Sequence, residues 1–162
     1  MTPTEATGAR PVRWSELAGL APGMAEAGRQ LLYQYGPGLA YLATLRADGA
    51  PRLHPVCPVV AHGGLYVFIG NHSPKLADLR RDGRYALHTF PRRDVDDEFV
   101  VSGIAVDAED TGARDIVHEA YTATGATTSD DTLFELLVDR ALHAKYQARP
   151  SWPPTYTRWR AG

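Results

Sequence analysis

Between Leu39 and Asp82, three short apolar segments are separated by Ala47-Asp48-Gly49 and by Gly63-Gly64. Glycine at a tight connection adopts a positive φ without steric cost, so the spacing predicts a meander of antiparallel strands. The strands fall at about 39–45, 51–60 and 65–69. A polar corner, Asn71-His72-Ser73-Pro74-Lys75, follows the third segment. Ser73 stands where a helix cap belongs and Pro74 where a first-turn proline belongs, which predicts a helix over 74–81. Backbone N–H groups, the Ser73 hydroxyl and the Lys75 ammonium then meet at one helix start, a setting suited to a phosphate.

The remainder of the chain is read in the same way. Residues 1–13 are rich in Pro, Thr, Gly and Ala and are expected to be disordered, leaving 14–162 as a single domain. Ser15 is expected to cap a short turn, and Pro22 to open a packing helix through Tyr35 that ends at Gly36. Further strands are expected at 85–90 and 99–107, with an exposed charged loop at 92–98 between them. A helix is expected over 113–124. Residues 133–146 satisfy a helical period and a strand pattern equally. Pro150, Pro153 and Pro154 exclude a long terminal helix and leave 155–160 as an edge strand. The order is that of a mainly β protein, an antiparallel barrel decorated by helices, rather than a βαβ sheet.

Composition excludes several functions. With 162 residues, 44% hydrophobic and 22% charged, the chain suits one soluble globular domain with a real core. A formal net charge of −2 argues against a strongly electrostatic nucleic-acid binder. The pairs Arg80-Arg81 and Arg92-Arg93 are each followed by aspartates and read as solvated turns. Cys57 stands alone in an apolar run, so it predicts neither a disulfide nor a thiolate metal cage. Neither a signal peptide nor a membrane-spanning run is evident, and a cytoplasmic location is expected.

No GxGxxG, GxxxxGK[ST] or GxSxG pattern occurs. The six histidines show no metal-ligand spacing, and no metal is expected. Arg52-Leu53-His54-Pro55-Val56 lies on the second predicted strand, so Arg52, His54 and Val56 share one face and Leu53 and Pro55 the other. If the fold brings Arg52 toward Ser73 and Lys75, two cations and a hydroxyl surround a phosphate-sized space. The alternative is an exposed Arg52 beside a hairpin and a surface lysine.

From Leu39 to about Gly103, and again at Trp152–Trp159, the order of motifs resembles the FMN-binding split-barrel family typified by pyridoxamine 5'-phosphate oxidase. The pieces are the Asp48-Gly49 turn, R-x-H-P-V at Arg52–Val56, the Gly63-Gly64 hairpin, LYVFI at Leu65–Ile69 and S-x-K at Ser73–Lys75. LRRDGRYAL, DEFVVSG and the terminal WPPxYxRW complete the series. The resemblance implies a split β-barrel that binds FMN as a flavin-dependent oxidoreductase, and a homodimer with flavin sites at its interface. It further implies that Arg52, Leu53, His54, Pro55 and Val56 line the flavin, that Ile69 and Gly70 meet its ring or ribityl edge, and that Ser73 and Lys75 hold its phosphate. The segments 85–90 and 152–159 would help to build the dimer interface. The oxidase's corner is Ser-Arg-Lys whereas this one is Ser-Pro-Lys, and the sequence ends without that enzyme's arginine-rich tail. A small organic substrate other than pyridoxamine phosphate is therefore expected. Related uses of the same barrel leave three alternatives: a deazaflavin coenzyme, haem held by His54, His72 or His88, and flavin binding without turnover.

Overall fold

The computed structural model describes residues 10–146 and 153–162. Four α-helices accompany eight strands among them. Helices α1 (Trp14–Leu20) and α2 (Pro22–Leu32) lead into strands β1 (Ala40–Leu45), β2 (Pro51–Val56), β3 (Val59–Ala61) and β4 (Gly64–Gly70). Helix α3 (Pro74–Arg81), strands β5 (Arg84–Thr89) and β6 (Glu98–Asp107) and helix α4 (Arg114–Ala123) follow, and β7 (Asp131–Lys145) and β8 (Thr155–Arg160) complete the order.

All strand pairs are antiparallel, and the sheet runs β2-β1-β5-β6-β7-β4-β3 with β8 added to β7. The expected glycine turns are present, with Gly49 at φ 82° and Gly63 at φ 73°. The expected three-stranded meander is not. The segment 51–60 breaks into β2 and β3 at Cys57-Pro58, where proline has no N–H to give to a ladder. Two hairpins, β1-β2 and β3-β4, result, and they occupy opposite ends of the sheet order. Because β2 runs through Pro58 into β3, the chain draws these ends together and the sheet curls into a split barrel. Gly38 is required at that junction, since a Cβ there would lie 1.9 Å from the Pro58 carbonyl oxygen.

The ambiguous stretch 133–146 is the long strand β7. Its first half is buried on both faces: Phe134 and Leu136 join the barrel core with Leu42, Leu87 and Phe99, while Leu133 packs under α4 with Val59, Tyr66, Val117 and Tyr121. Burial on both faces removes the alternation by which a strand is recognised. Three smaller expectations also change. Helix α2 stops at Leu32, short of Tyr35, and α1 starts from Arg13 rather than Ser15, with the Arg13 N–H donating to Glu16 Oε2 at 2.9 Å. Val12 and Arg13, expected to be disordered, are held in the fold. Val12 exchanges backbone hydrogen bonds with Val138, and Arg13 donates to Glu135 at 2.7 Å and to the Tyr66 hydroxyl at 2.9 Å. Residues 1–9 lie outside the described residues.

Candidate functional site

The site begins at the Asn71–Lys75 corner, which β7 holds in place. The Asn71 N–H donates to the Asp130 carbonyl at 3.0 Å and its side-chain amide to the Asp130 carboxylate at 2.6 Å, while its Oδ1 accepts from Thr132 Oγ1 at 2.7 Å. Ser73 caps α3 as expected, its Oγ accepting from the Lys75 N–H at 3.3 Å. That use leaves the Ser73 hydroxyl hydrogen free to donate. A cavity of about 380 Å³, lined in part by His72, Ser73, Pro74 and Arg80, adjoins the corner.

One turn into α3, Asp78 is 3% exposed and binds three partners. It accepts from Thr44 Oγ1 of β1 at 2.9 Å, from Arg52 Nε of β2 at 2.7 Å and from Arg81 Nη2 at 3.2 Å. Arg81 also donates to the Leu45 carbonyl. Burial works to raise the Asp78 pKa, and the hydrogen bonds from Arg52, Thr44 and Arg81 overcome it, leaving the carboxyl below its ordinary value. Arg52 is bound through Nε, so its terminal guanidinium nitrogens remain available, and its side chain is 21% exposed.

Arg52, His54 and Val56 pair in register with Thr44, Leu42 and Ala40, all three buried, so this face of β2 turns into the barrel. Burial lowers the Lys75 pKa, and the neighbouring Arg52 charge lowers it further. Burial, then Lys75, then Arg52 lower that of His54. The Lys75 ammonium makes no hydrogen bond or ion pair among the described residues. The corner is therefore a cluster of crowded cations around one committed carboxylate, an arrangement that an anion would relieve.

Of the residues predicted from sequence, the fold brings Arg52, His54, Ser73 and Lys75 together, with Val56 on the same face of β2. Leu53, 64% exposed, and Pro55 face outward on the other side of β2. The Ile69 side chain lies in the barrel core at 1% exposure, so only its backbone and that of Gly70 can reach a ligand. The histidines disperse: His54 faces inward, His88 lies opposite the outward-facing Tyr41, and the His72 side chain is 96% exposed. Asp78, Thr44 and Arg81 were missed. Arg81 is no merely solvated turn residue, although Arg80, paired with Asp107 at 3.7 Å, is exposed. The available signal was an aspartate between Leu76 and Leu79 on the apolar side of a short helix.

On the outer face, Tyr41 stacks on Phe90 with ring centroids 4.4 Å apart, beside exposed Leu53 and Pro55. From the expected interface segment 85–90, Tyr85, Leu87 and Thr89 are buried inside the barrel. Trp152 lies outside the described residues.

No family model and no curated protein matches the sequence. Solved structures do match. A heme-binding protein from Mycobacterium smegmatis is 18% identical with TM-score 0.61, over 83% of this chain and 57% of that one. A NimC/NimA family protein from Clostridium acetobutylicum is 15% identical with TM-score 0.61, over 85% and 94%. A candidate pyridoxamine 5'-phosphate oxidase from Listeria innocua is 16% identical with TM-score 0.56, over 70% and 91%. The chain thus has the split-barrel fold of the pyridoxamine 5'-phosphate oxidase-like proteins, and it spans little more than half the length of the mycobacterial protein. Among the described residues no helix is long and apolar enough to cross a membrane.

Asp78→Asn tests the network. It leaves Arg52 and Arg81 without their counter-charge, but both guanidiniums reach water, so the expected loss is about 2–3 kcal/mol rather than the full cost of a buried ion. The folded Asp78 pKa lies below the ordinary 3.8. Its contribution is therefore complete above about pH 4 and is lost as pH falls through the folded value. Urea melts should show that acid limb in the parent and a weaker one in Asp78→Asn; identical limbs would remove Asp78 from this role.

Proposed function

We propose that the chain binds FMN without a covalent link at the Lys75 corner and acts as a flavin-dependent oxidoreductase on a small organic substrate. The observation that carries this reading is the Lys75 ammonium, without a hydrogen bond or ion pair and crowded by Arg52 at a capped helix start. The donor set fits a phosphate dianion: the Lys75 ammonium, the terminal nitrogens of Arg52, the Ser73 hydroxyl and the first N–H groups of α3. His54 and Val56 would line the inner side, and the backbone of Leu53, Pro55, Ile69 and Gly70 the remainder. The bound flavin would supply the redox chemistry, while the protein supplies orientation and charge.

The active unit in this reading is a homodimer that covers the outward Tyr41, Phe90, Leu53 and Pro55. A second reading, haem binding, draws on the likeness to the Mycobacterium smegmatis protein and on His54, whose lowered pKa keeps a neutral imidazole available as an axial ligand.

Lys75→Ala should weaken FMN by about ten- to a hundredfold, a loss of about 1.5–3 kcal/mol, and leave riboflavin, which has no phosphate, unchanged. Equal affinities of FMN for parent and variant would remove Lys75 from the site. The parent's preference for FMN over riboflavin should also fall with rising pH, starting below the ordinary lysine value of 10.5 because the Lys75 pKa is lowered. Titrations across that range should find the fall absent in Lys75→Ala.

Light scattering checks the assembly. The parent should give twice the chain mass and Leu53→Lys a single chain mass; a monomeric parent that retains flavin would contradict the dimer.

A further inference from the structure

A second cationic feature lies on the outer face, where β8 is added to β7. β6, β7 and β8 run side by side there, and their register sets Ser102, Arg140 and Arg160 in one row and Val100, Leu142 and Arg158 in the next. These six side chains contribute to the lining of a cavity of about 490 Å³. Arg140 and Arg160 are direct cross-strand partners, and like charges placed opposite each other in an antiparallel ladder repel. Arg158 lies over the Tyr156 ring at 5.0 Å. None of the three guanidiniums forms a hydrogen bond or ion pair among the described residues. The adjacent carboxylate, Asp139, accepts instead from Ser102 Oγ at 3.1 Å. Three unpaired positive charges are thus concentrated around a partly apolar groove in a chain whose net charge is −2.

The geometry points to a binding site for a small organic anion of two or more negative charges with a planar apolar body. Arg140 and Arg160 would grip the charged group in the bidentate manner that guanidinium permits, Arg158 would flank it, and Val100 and Leu142 would floor the apolar part. The volume is within the range of small-molecule sites. Occupancy would offset the repulsion between Arg140 and Arg160. This assignment is independent of the Lys75 corner: Arg52 and Lys75 belong to β2 and α3, and the three arginines to β7 and β8.

The test is calorimetric titration of the full chain with 2-naphthyl phosphate, with 2-naphthol as the neutral control. The titrations are made in Lys75→Ala, which disables the phosphate corner; the phosphate should still bind this variant, and 2-naphthol should not. Adding Arg140→Gln/Arg160→Gln should weaken the phosphate by about tenfold or more. The added pair should leave the melting temperature the same or higher, because it removes a like-charge pair. Adding Arg158→Gln, whose register partner is Leu142, should instead show a loss of affinity in the same direction without altering that pair. No binding to Lys75→Ala, unchanged affinity on adding the arginine changes, or equal binding of 2-naphthol would each overturn the assignment. So would a fall in assembly mass in the arginine variants with probe affinity intact, since the arginines would then be holding a second copy of the chain.

Discussion

The buried carboxylate of Asp78 ties the candidate site of this barrel together. It joins a helix, two strands and the carboxy-terminal turn of that helix through Thr44, Arg52 and Arg81. A carboxylate at 3% exposure is tolerable only when its charge is matched and its lone pairs are filled, and both conditions are met here. Holding Arg52 by Nε fixes the direction of its terminal nitrogens. The same carboxylate keeps α3 against β2 through Arg52 and against β1 through Thr44, which places Lys75 beside Arg52. The cationic corner thus follows from the network beneath it.

Charge is distributed unevenly over the sheet. The inner side of β2 carries Arg52 and His54 toward the start of α3, whereas the outer side of the same strand carries Leu53 and Pro55 beside the stacked Tyr41 and Phe90. The period-2 alternation of one six-residue strand therefore separates a polar inner face from an apolar outer surface. Further across the outer face, β7 and β8 carry three guanidiniums. One sheet offers two cationic regions and an apolar one, each set by strand register.

Much of this was legible in the sequence wherever a local rule fixed the backbone. The glycine turns, the Ser73-Pro74 helix start and the edge strand Thr155–Arg160 follow from turn, cap and proline chemistry that acts within a few residues. Resemblance supplied the split barrel, which the structure shows. What escaped depends on contacts distant in sequence. Strand β7 could not be separated from a helix because neighbours on both faces make both of its faces apolar. The Asp78 network joins residues up to 34 apart, so nothing in LADLRR alone announces Thr44. The Arg13 contact with Glu135 spans 122 residues and turns an apparently featureless beginning into part of the fold. Pro58 was visible, but its consequence, the division of one strand into two hairpin partners, required the sheet order.

The central claim is that the corner built on Asp78 holds the phosphate of a flavin. The chromophore carried by the freshly purified protein tests it most directly, through its absorption spectrum and the mass of the molecule released on denaturation. The account predicts flavin absorption and the mass of FMN; a Soret band with the mass of haem would contradict it.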